Sequence, residues 1–415
     1  MSYLGCGLAA IAQLSYCLAM PPKKENRGCG CANIPISFIV ILLGGGYLGF
    51  RHIDRLEISR FLPDDIPFIA TNPHSQNSPS PTPTPSQNPP AASSPAPQNS
   101  PPVSLSPQPA TPSPSPQTPW EQKQIRGIYL SRYQATNNAS EQTIRERVRY
   151  YRAQGINTII HGVWGNGCTM YKSEVMQETF GYESCPNKFQ DRWLEWLIDE
   201  AHKQGMQVHA YFEKGIKLDK NSPIFDTAIT NRWIVPGVDK TYEGIDHYVL
   251  DVEIPEVANF FKQISAEFVR KYPNIDAVQW DDYLGYHADL PGKVDRTAHL
   301  TEFVRQTIAA TKAANPNVSF DICHHNPYWS KRYFAADWKN WNVDRVFIQI
   351  YNDDNFDKEL EYAKNYAGVA ISDRQFHRLP ELVNNPKIKS ILIFPNSGQP
   401  KQAAASVRKL TSAKN

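Results

Sequence analysis

An excess of charge of either sign is missing from this sequence: 43 Lys and Arg stand against 41 Asp and Glu, a formal net charge of +2. No basic run exceeds a pair such as Lys23-Lys24, so the chain lacks the electrostatic footprint that holds nucleic acid, and none is expected as a partner. Cysteine is sparse, with seven in all and no C-x-x-C pair. The 11 histidines include no H-x-H or H-E-x-x-H spacing. Neither a metal nor an organic cofactor is therefore expected. Long apolar runs are missing too, apart from Ile34–Phe50, an uncharged stretch near the lower limit of about 17 residues that spans a bilayer.

What is present is unevenly distributed. Seventeen of the 34 prolines lie between Pro73 and Pro119, among Ser, Thr, Gln, Asn and Ala, with no Asp, Glu, Lys or Arg. Such a stretch cannot bury enough surface to offset the entropy of ordering. The expected organisation is a short N-terminal tail at 1–33, a transmembrane anchor at 34–50, a juxtamembrane segment at 51–71, a disordered Pro/Ser/Thr-rich linker at 72–119, and a folded domain at 120–415. In polyproline II form the linker would reach roughly 150 Å at about 3.1 Å per residue. Basic residues flank the apolar run almost equally, Lys23, Lys24 and Arg27 against Arg51, Arg55 and Arg60, so charge alone leaves the orientation open. The stalk and the nature of the site favour a single-pass cell-membrane protein whose C-terminal domain faces the periplasm or cell wall.

Downstream of the stalk, eight short apolar runs alternate with helix-like segments, the rhythm of a (β/α)8 TIM barrel. The expected strands are 127–131, 157–163, 207–213, 276–281, 318–323, 345–351, 368–372 and 390–394. Helical stripes fall between them: Trp193, Leu194, Leu197, Ile198 and Ala201, then Val257, Phe260, Phe261, Ile264 and Phe268 after Pro255. Two connections, 165–190 and 214–254, are too long for plain turns and follow strands, which in a barrel puts them on the substrate face. Cys168 and Cys185 flank the first of these, a plausible disulfide in an oxidising compartment.

Side chains alternate along a strand, so one parity points into the barrel. In 207–213 that parity is Gln207, His209, Tyr211 and Glu213; near 276–282 it is Gln279 and Asp281; in 345–351 it is Phe347, Gln349 and Tyr351. Polar groups facing an interior cost stability unless bonded, so their convergence suggests function. Asp281 and Glu213 fall at the last inward positions of adjacent strands, with Asp282 expected to point sideways. Paired carboxylates above aromatic side chains are what glycosidic cleavage needs. Asp281 is the candidate general acid, with Glu213 or Asp282 as base, nucleophile or orienting group. Substrate-binding candidates are His161, Trp164, His209, Tyr211, Gln279, Tyr283, His324, Gln349 and Tyr351.

The segments RGIYLS at 126–131, INTIIHGVWGNGCTMYKS at 156–173, DEAHKQGMQVHAYFE at 199–213, LDVEIPEVANFF at 250–261, IDAVQWDDY at 275–283 and VDRVFIQIYNDD at 343–354 resemble the glycosyl-hydrolase-like GHL10 family. The resemblance covers nearly all of the domain and none of the anchor or stalk. It implies a catalytic barrel acting on a polysaccharide, with peptidoglycan glycan strands as a natural target, and it supports the double aspartate as the acid position. Where that family often has a serine-proline pair, this chain has DICHHNP at 321–327, which leaves the roles of Asp321, His324 and His325 open. Two rival readings remain, beside a scaffold with no sugar affinity. One is a metal-dependent hydrolase built on His161, His209, His324 and His325. The other is a non-catalytic glycan-binding barrel that tethers membrane to cell wall.

Overall fold

The computed structural model describes residues 117–131, 136–184, 186, 189, 191–242, 245–287, 290 and 296–412. Of two compact units, Met1–Ser104 and Leu105–Asn415, only the second contains described residues. The expected anchor at 34–50, and the linker as far as residue 116, lie outside them. Among the described residues no helix is long and apolar enough to cross a membrane.

Eight parallel strands close on themselves: β1 Ile125–Leu130, β2 Thr158–Gly165, β3 Gln207–Phe212, β4 Ala277–Asp281, β5 Ser319–His324, β6 Arg345–Ile350, β7 Gly368–Ser372 and β8 Ser390–Phe394. Each pairs with the next in chain order, and β8 returns to β1 with Ile125 opposite Ser390. Eight helices follow the strands in turn: α1 Glu141–Ala153, α2 Trp193–Lys203, α3 Pro255–Lys271, α4 Arg296–Ala314, α5 Pro327–Phe334, α6 Phe356–Ala363, α7 Leu379–Asn384 and α8 Pro400–Ser412. This is the (β/α)8 barrel that the alternation of apolar runs implies, with every expected strand in place.

Local chemistry sets the helix ends. Ser140 caps α1 by accepting from the Thr143 amide, and Ile144, Val148 and Tyr151 then line its buried face. α3 opens on Pro255, whose missing N–H would have had no partner in a first turn, and ends on Arg270 and Lys271 beside the last carbonyls. The outward parity of β3, β4 and β5 forms a stack of Phe212 on Trp280 (ring centroids 4.8 Å apart) and Trp280 towards Phe320 (6.5 Å), with Phe261 of α3 against the middle ring. Burying one such ring contributes about 1.5–3 kcal/mol, so this layer fixes how the helices lie on the sheet. Inside the barrel a smaller cluster of Ile125, Tyr129, Ile160, Cys323, Phe347, Ala370 and Leu392 fills the core.

The two long connections behave differently. Residues 214–254 carry a three-stranded antiparallel sheet, with Lys217–Leu218 and Asp239–Tyr242 flanking Ile245–Val249, and this insertion reaches the carboxylates. In the first connection Asn166 bonds to Asp219, Asn221 and Ser222 of that insertion, while residues 173–175 dock on the outer face of α3. Glu267 accepts from Ser173 Oγ at 2.6 Å and from the amides of Glu174 and Val175 at 2.6 and 3.2 Å. Glu267 thus holds the start of the helix Glu174–Phe180. Cys168 is disulfide-bonded; its expected partner, Cys185, lies outside the described residues.

Candidate active site

The strand ends open on a cleft of about 310 Å³ whose lining includes Tyr129, Tyr211, Asp281, Asp282, Tyr283, Gln349 and Tyr351. A depression of about 390 Å³ beside α1 and α2, lined by Arg145, Trp196 and His202 among others, lies away from these strand ends.

Asp281 is the last residue of β4, only 6% exposed. Its Oδ2 accepts from the Tyr211 hydroxyl, and its Oδ1 accepts from the Tyr283 amide at 3.0 Å. Here the strand gives way to a 3-10 turn, Asp282–Leu284, capped by Asp281 itself. The turn swings the next carboxylate back into the cleft, so Asp282 does not point sideways as alternation implies. Its Oδ1 accepts from Gln349 Nε2 at 3.0 Å, and its Oδ2 lies 3.7 Å from His325 Nε2.

Burial raises the Asp281 carboxyl well above its usual range, and the charge of Asp282 adds to the shift. Bonds from Tyr211 and Tyr283 pull the other way without reversing it. For Asp282 burial also opposes ionisation, but His325 beside it and the fields of His324 and Lys217 outweigh it and hold that carboxyl below the usual range. One carboxyl pushed up beside one pulled down is what a proton donor beside a charge-stabilising group requires.

Glu213 follows β3 and belongs to the same neighbourhood. A methyl added at Gly162 would stand 3.1 Å from Glu213 Oε2, so this carboxylate lies over the end of β2. Its charge contributes to raising Asp281, Tyr211 and Tyr283. Gly215, at φ +45°, lets the following chain pass against the Tyr283 carbonyl, 2.6 Å from where a Cβ would sit. That approach brings Lys217 to the site. Lys217 is fully buried, paired with Asp239 at 2.9 Å, with its ammonium 5.2 Å from the centre of the Tyr283 ring.

Several candidates lie elsewhere. Ile160 faces the barrel interior, so His161 faces outward, with its ring 4.6 Å from that of Trp193 of α2. Its Nδ1 donates to the Gly162 carbonyl at 2.8 Å, its Nε2 accepts from Thr136 Oγ1 at 3.2 Å, and burial pushes its pKa down to about 4. Trp164 is fully buried against Phe260 and Phe261, donating to the Gly215 carbonyl at 2.9 Å, and offers no stacking face. His324 faces outward beside Phe334 and Trp341, with Nδ1 accepting from the His325 amide at 2.9 Å. His209 and Gln279 do point inward, but one layer below the cleft. His209 Nδ1 lies 3.7 Å from Asp321 Oδ2, and Asp321 is clamped by Arg345 at 2.7 to 3.0 Å. Tyr211, Tyr283, Gln349 and Tyr351 line the cleft. The four histidines of the metal reading are thus dispersed over both faces of the barrel. Among the described residues no group of three or more His, Cys, Asp or Glu is arranged to hold a metal ion.

The sequence reading missed Tyr129, Ser372, Arg374, Phe394 and Asn396, which complete the cleft. Tyr129 and Phe394 were accessible to the parity rule, since they fall on the inward parity of β1 and β8. Arg374 and Asn396 sit in the turns after β7 and β8, where no periodicity points.

A closed (β/α)8 barrel with paired carboxyls among aromatic rings at the C-terminal ends of its strands is a glycoside hydrolase-type barrel. Residues 124–295 match the family model described as Glycosyl hydrolase-like 10, the family that the sequence motifs resemble. Glycosyl hydrolase DigH of Escherichia coli O6:H1 is 29% identical over 265 residues, covering 59% of this chain and 52% of the relative. Glycosyl hydrolase DigH of Escherichia coli strain K12 is 29% identical over 187 residues, covering 40% of this chain and 39% of the relative. The chain thus spans about half or less of the curated relatives it matches. Among solved structures, GH36 α-galactosidase AgaB from Geobacillus stearothermophilus aligns with TM-score 0.43 and 13% identity over 70% of this chain and 41% of its own, a likeness too slight to bear on function.

Proposed function

We propose that the protein is a membrane-anchored, extracytoplasmic glycoside hydrolase that cleaves O-glycosidic bonds of a polysaccharide, with peptidoglycan glycan strands as the first candidate substrate. Asp281 is the general acid that protonates the leaving oxygen. Glu213 or Asp282 supplies the second carboxylate, as base, nucleophile or orienting group. The observation that carries the reading is the pair of adjoining buried carboxyls in one cleft lined by aromatic rings, Asp281 bonded to Tyr211 and Asp282 to Gln349, with surroundings that push the first up and the second down. Tyr211 orients the acid through its hydrogen bond, and Gln349 and His325 hold Asp282. The apolar run Ile34–Phe50 and the proline-rich stretch after it support display at a distance from the membrane, where the wall glycans of a bacterium lie.

Purified full-length protein incubated with wall glycans and a panel of other polysaccharides should release new reducing ends. Asp281→Asn should lose roughly 100- to 10,000-fold in turnover while still binding the glycan. Intact glycans after prolonged incubation with every polymer would sink the enzymatic reading. Binding without turnover in either form would leave the barrel as a glycan tether.

A further inference from the structure

The cleft at Asp281 does not end at Tyr351. A second cavity of about 270 Å³ lies on the far side of Gln349 and Tyr351, which line both, and its walls include His325, Trp329, Asn352 and Glu359. Three features of this cavity point to a ligand.

The first is the placing of exposed rings. Among the described residues six large apolar side chains are exposed, and four of them, Tyr328, Trp329, Tyr351 and Phe394, are aromatic and stand at or just beyond the C-terminal ends of β5, β6 and β8. Scattered exposure is ordinary, whereas a file of rings along one rim marks a binding surface. Trp329 is 39% exposed while packed on Tyr333, ring centroids 4.6 Å apart, so its indole is both held and accessible.

The second is a carboxylate oxygen without a donor. Glu359 of α6 is 8% exposed. Its Oε1 accepts from Asn326 Nδ2 at 2.5 Å, while its Oε2 is buried and has no hydrogen-bond partner among the described residues. A buried acceptor left unpaired is costly, and a ligand donor entering the cavity would remove that cost.

The third is that one side chain positions both groups. The Oδ1 of Asn326 accepts from the Tyr328 and Trp329 amides at 3.0 and 3.1 Å, capping α5, while its Nδ2 holds Glu359. The platform and the acceptor are therefore fixed relative to each other before any ligand arrives.

We infer that this cavity is a second saccharide subsite, in which a sugar ring of the same chain that occupies the Asp281 cleft stacks on Trp329 and donates a hydroxyl or amide hydrogen to Glu359. The inference rests on the carbohydrate reading of the cleft and deepens it: the substrate is an extended glycan gripped on both sides of Tyr351. An apolar ring face, hydrogen-bond donors on its edge and a covalent link to the neighbouring unit are what the two cavities together select.

The test uses the full chain carrying Asp281→Asn, so that nothing is turned over, and isothermal titration with the disaccharide and hexasaccharide of β-1,4-linked N-acetylglucosamine and of glucose. In at least one series the hexasaccharide should bind roughly tenfold or more tightly than the disaccharide. Adding either Trp329→Ala or Glu359→Gln should abolish most of that advantage while disaccharide affinity stays within twofold, which also shows that the variant is folded. Disaccharide binding with no gain from length, or a gain untouched by both substitutions, overturns the subsite alone. No binding by any oligomer overturns the subsite, and the glycosidase reading then stands or falls on the turnover assay.

Discussion

Asp281 and Asp282 are consecutive in the chain, yet their carboxyls are driven in opposite directions by what surrounds them. Asp281 ends a strand under Tyr211 and meets burial and a like charge; Asp282 begins a turn and meets His325, with the Gln349 amide on its other oxygen. Separating two carboxyls in this way lets one fold carry a proton donor and an anion side by side near neutral pH. The division is built by the break between β4 and its 3-10 turn, which spends one residue on changing direction.

Tyr211→Phe removes a hydrogen bond that favours the charged form of Asp281. With burial and Asp282 then less opposed, the Asp281 carboxyl should rise further. The alkaline limb of kcat/KM, where the acid loses its proton, should move to higher pH. A carbon-13 NMR titration of the labelled carboxyl reads the same shift without turnover. Movement to lower pH would contradict this account of the site.

His325→Gln acts on the other member of the pair. His325 is the principal group holding Asp282 low, 3.7 Å from its Oδ2, so its removal should raise the Asp282 carboxyl and shift the acidic limb of the profile upward. The alkaline limb should move much less. Coincident movement of both limbs would show that the carboxyls do not divide the work as described.

Asp281→Asn should make the protein more stable near neutral pH, by about 1–3 kcal/mol. The folded-state pKa of Asp281 is raised, so the unfolded chain releases this proton first. Stability therefore falls as pH climbs from the unfolded value through the folded one. Urea unfolding at neutral pH should show the gain, and at a pH below the unfolded value, where both states are protonated, it should vanish. A destabilised variant at neutral pH would mean that Asp281 is not under strain.

Arg345→Met strands Asp321, which is fully buried, and should cost about 3–5 kcal/mol. Adding Asp321→Leu should recover most of that loss, because an apolar pair of similar volume removes the uncompensated charge. Denaturant midpoints of the two single variants and the double variant give the coupling. A double variant no more stable than Arg345→Met would show that the ion pair has a role beyond neutralising Asp321.

Much of the barrel was legible because its signals are local and repeated. Alternation in β3 and β4 put Tyr211 and Asp281 on the inward parity, and they bond across neighbouring strands. The same rule applied to β2 would have turned His161 away from the cleft, since Ile160 is the inward residue there. A register shift between Gly162 and Trp164 further ends strict alternation before Trp164. His324 shows the same limit: whether a polar residue beside a strand end looks into the mouth or under a helix depends on one residue of phase.

By itself the sequence determined eight strands, the order in which they alternate with helices, and the inward parity that carries Tyr211, Asp281 and Gln349, because periods of two and of about 3.6 are written into short stretches of chain. Only the tertiary structure decided which of those polar residues reach the cleft, how Asp282 turns back beside Asp281, that Lys217 and His325 come near this pair, and that Glu359 lies in the cavity beyond Tyr351. Those relations join residues far apart in the chain through packing and turn geometry, and the electrostatics that separate the two aspartates exist only once burial has removed water from around them.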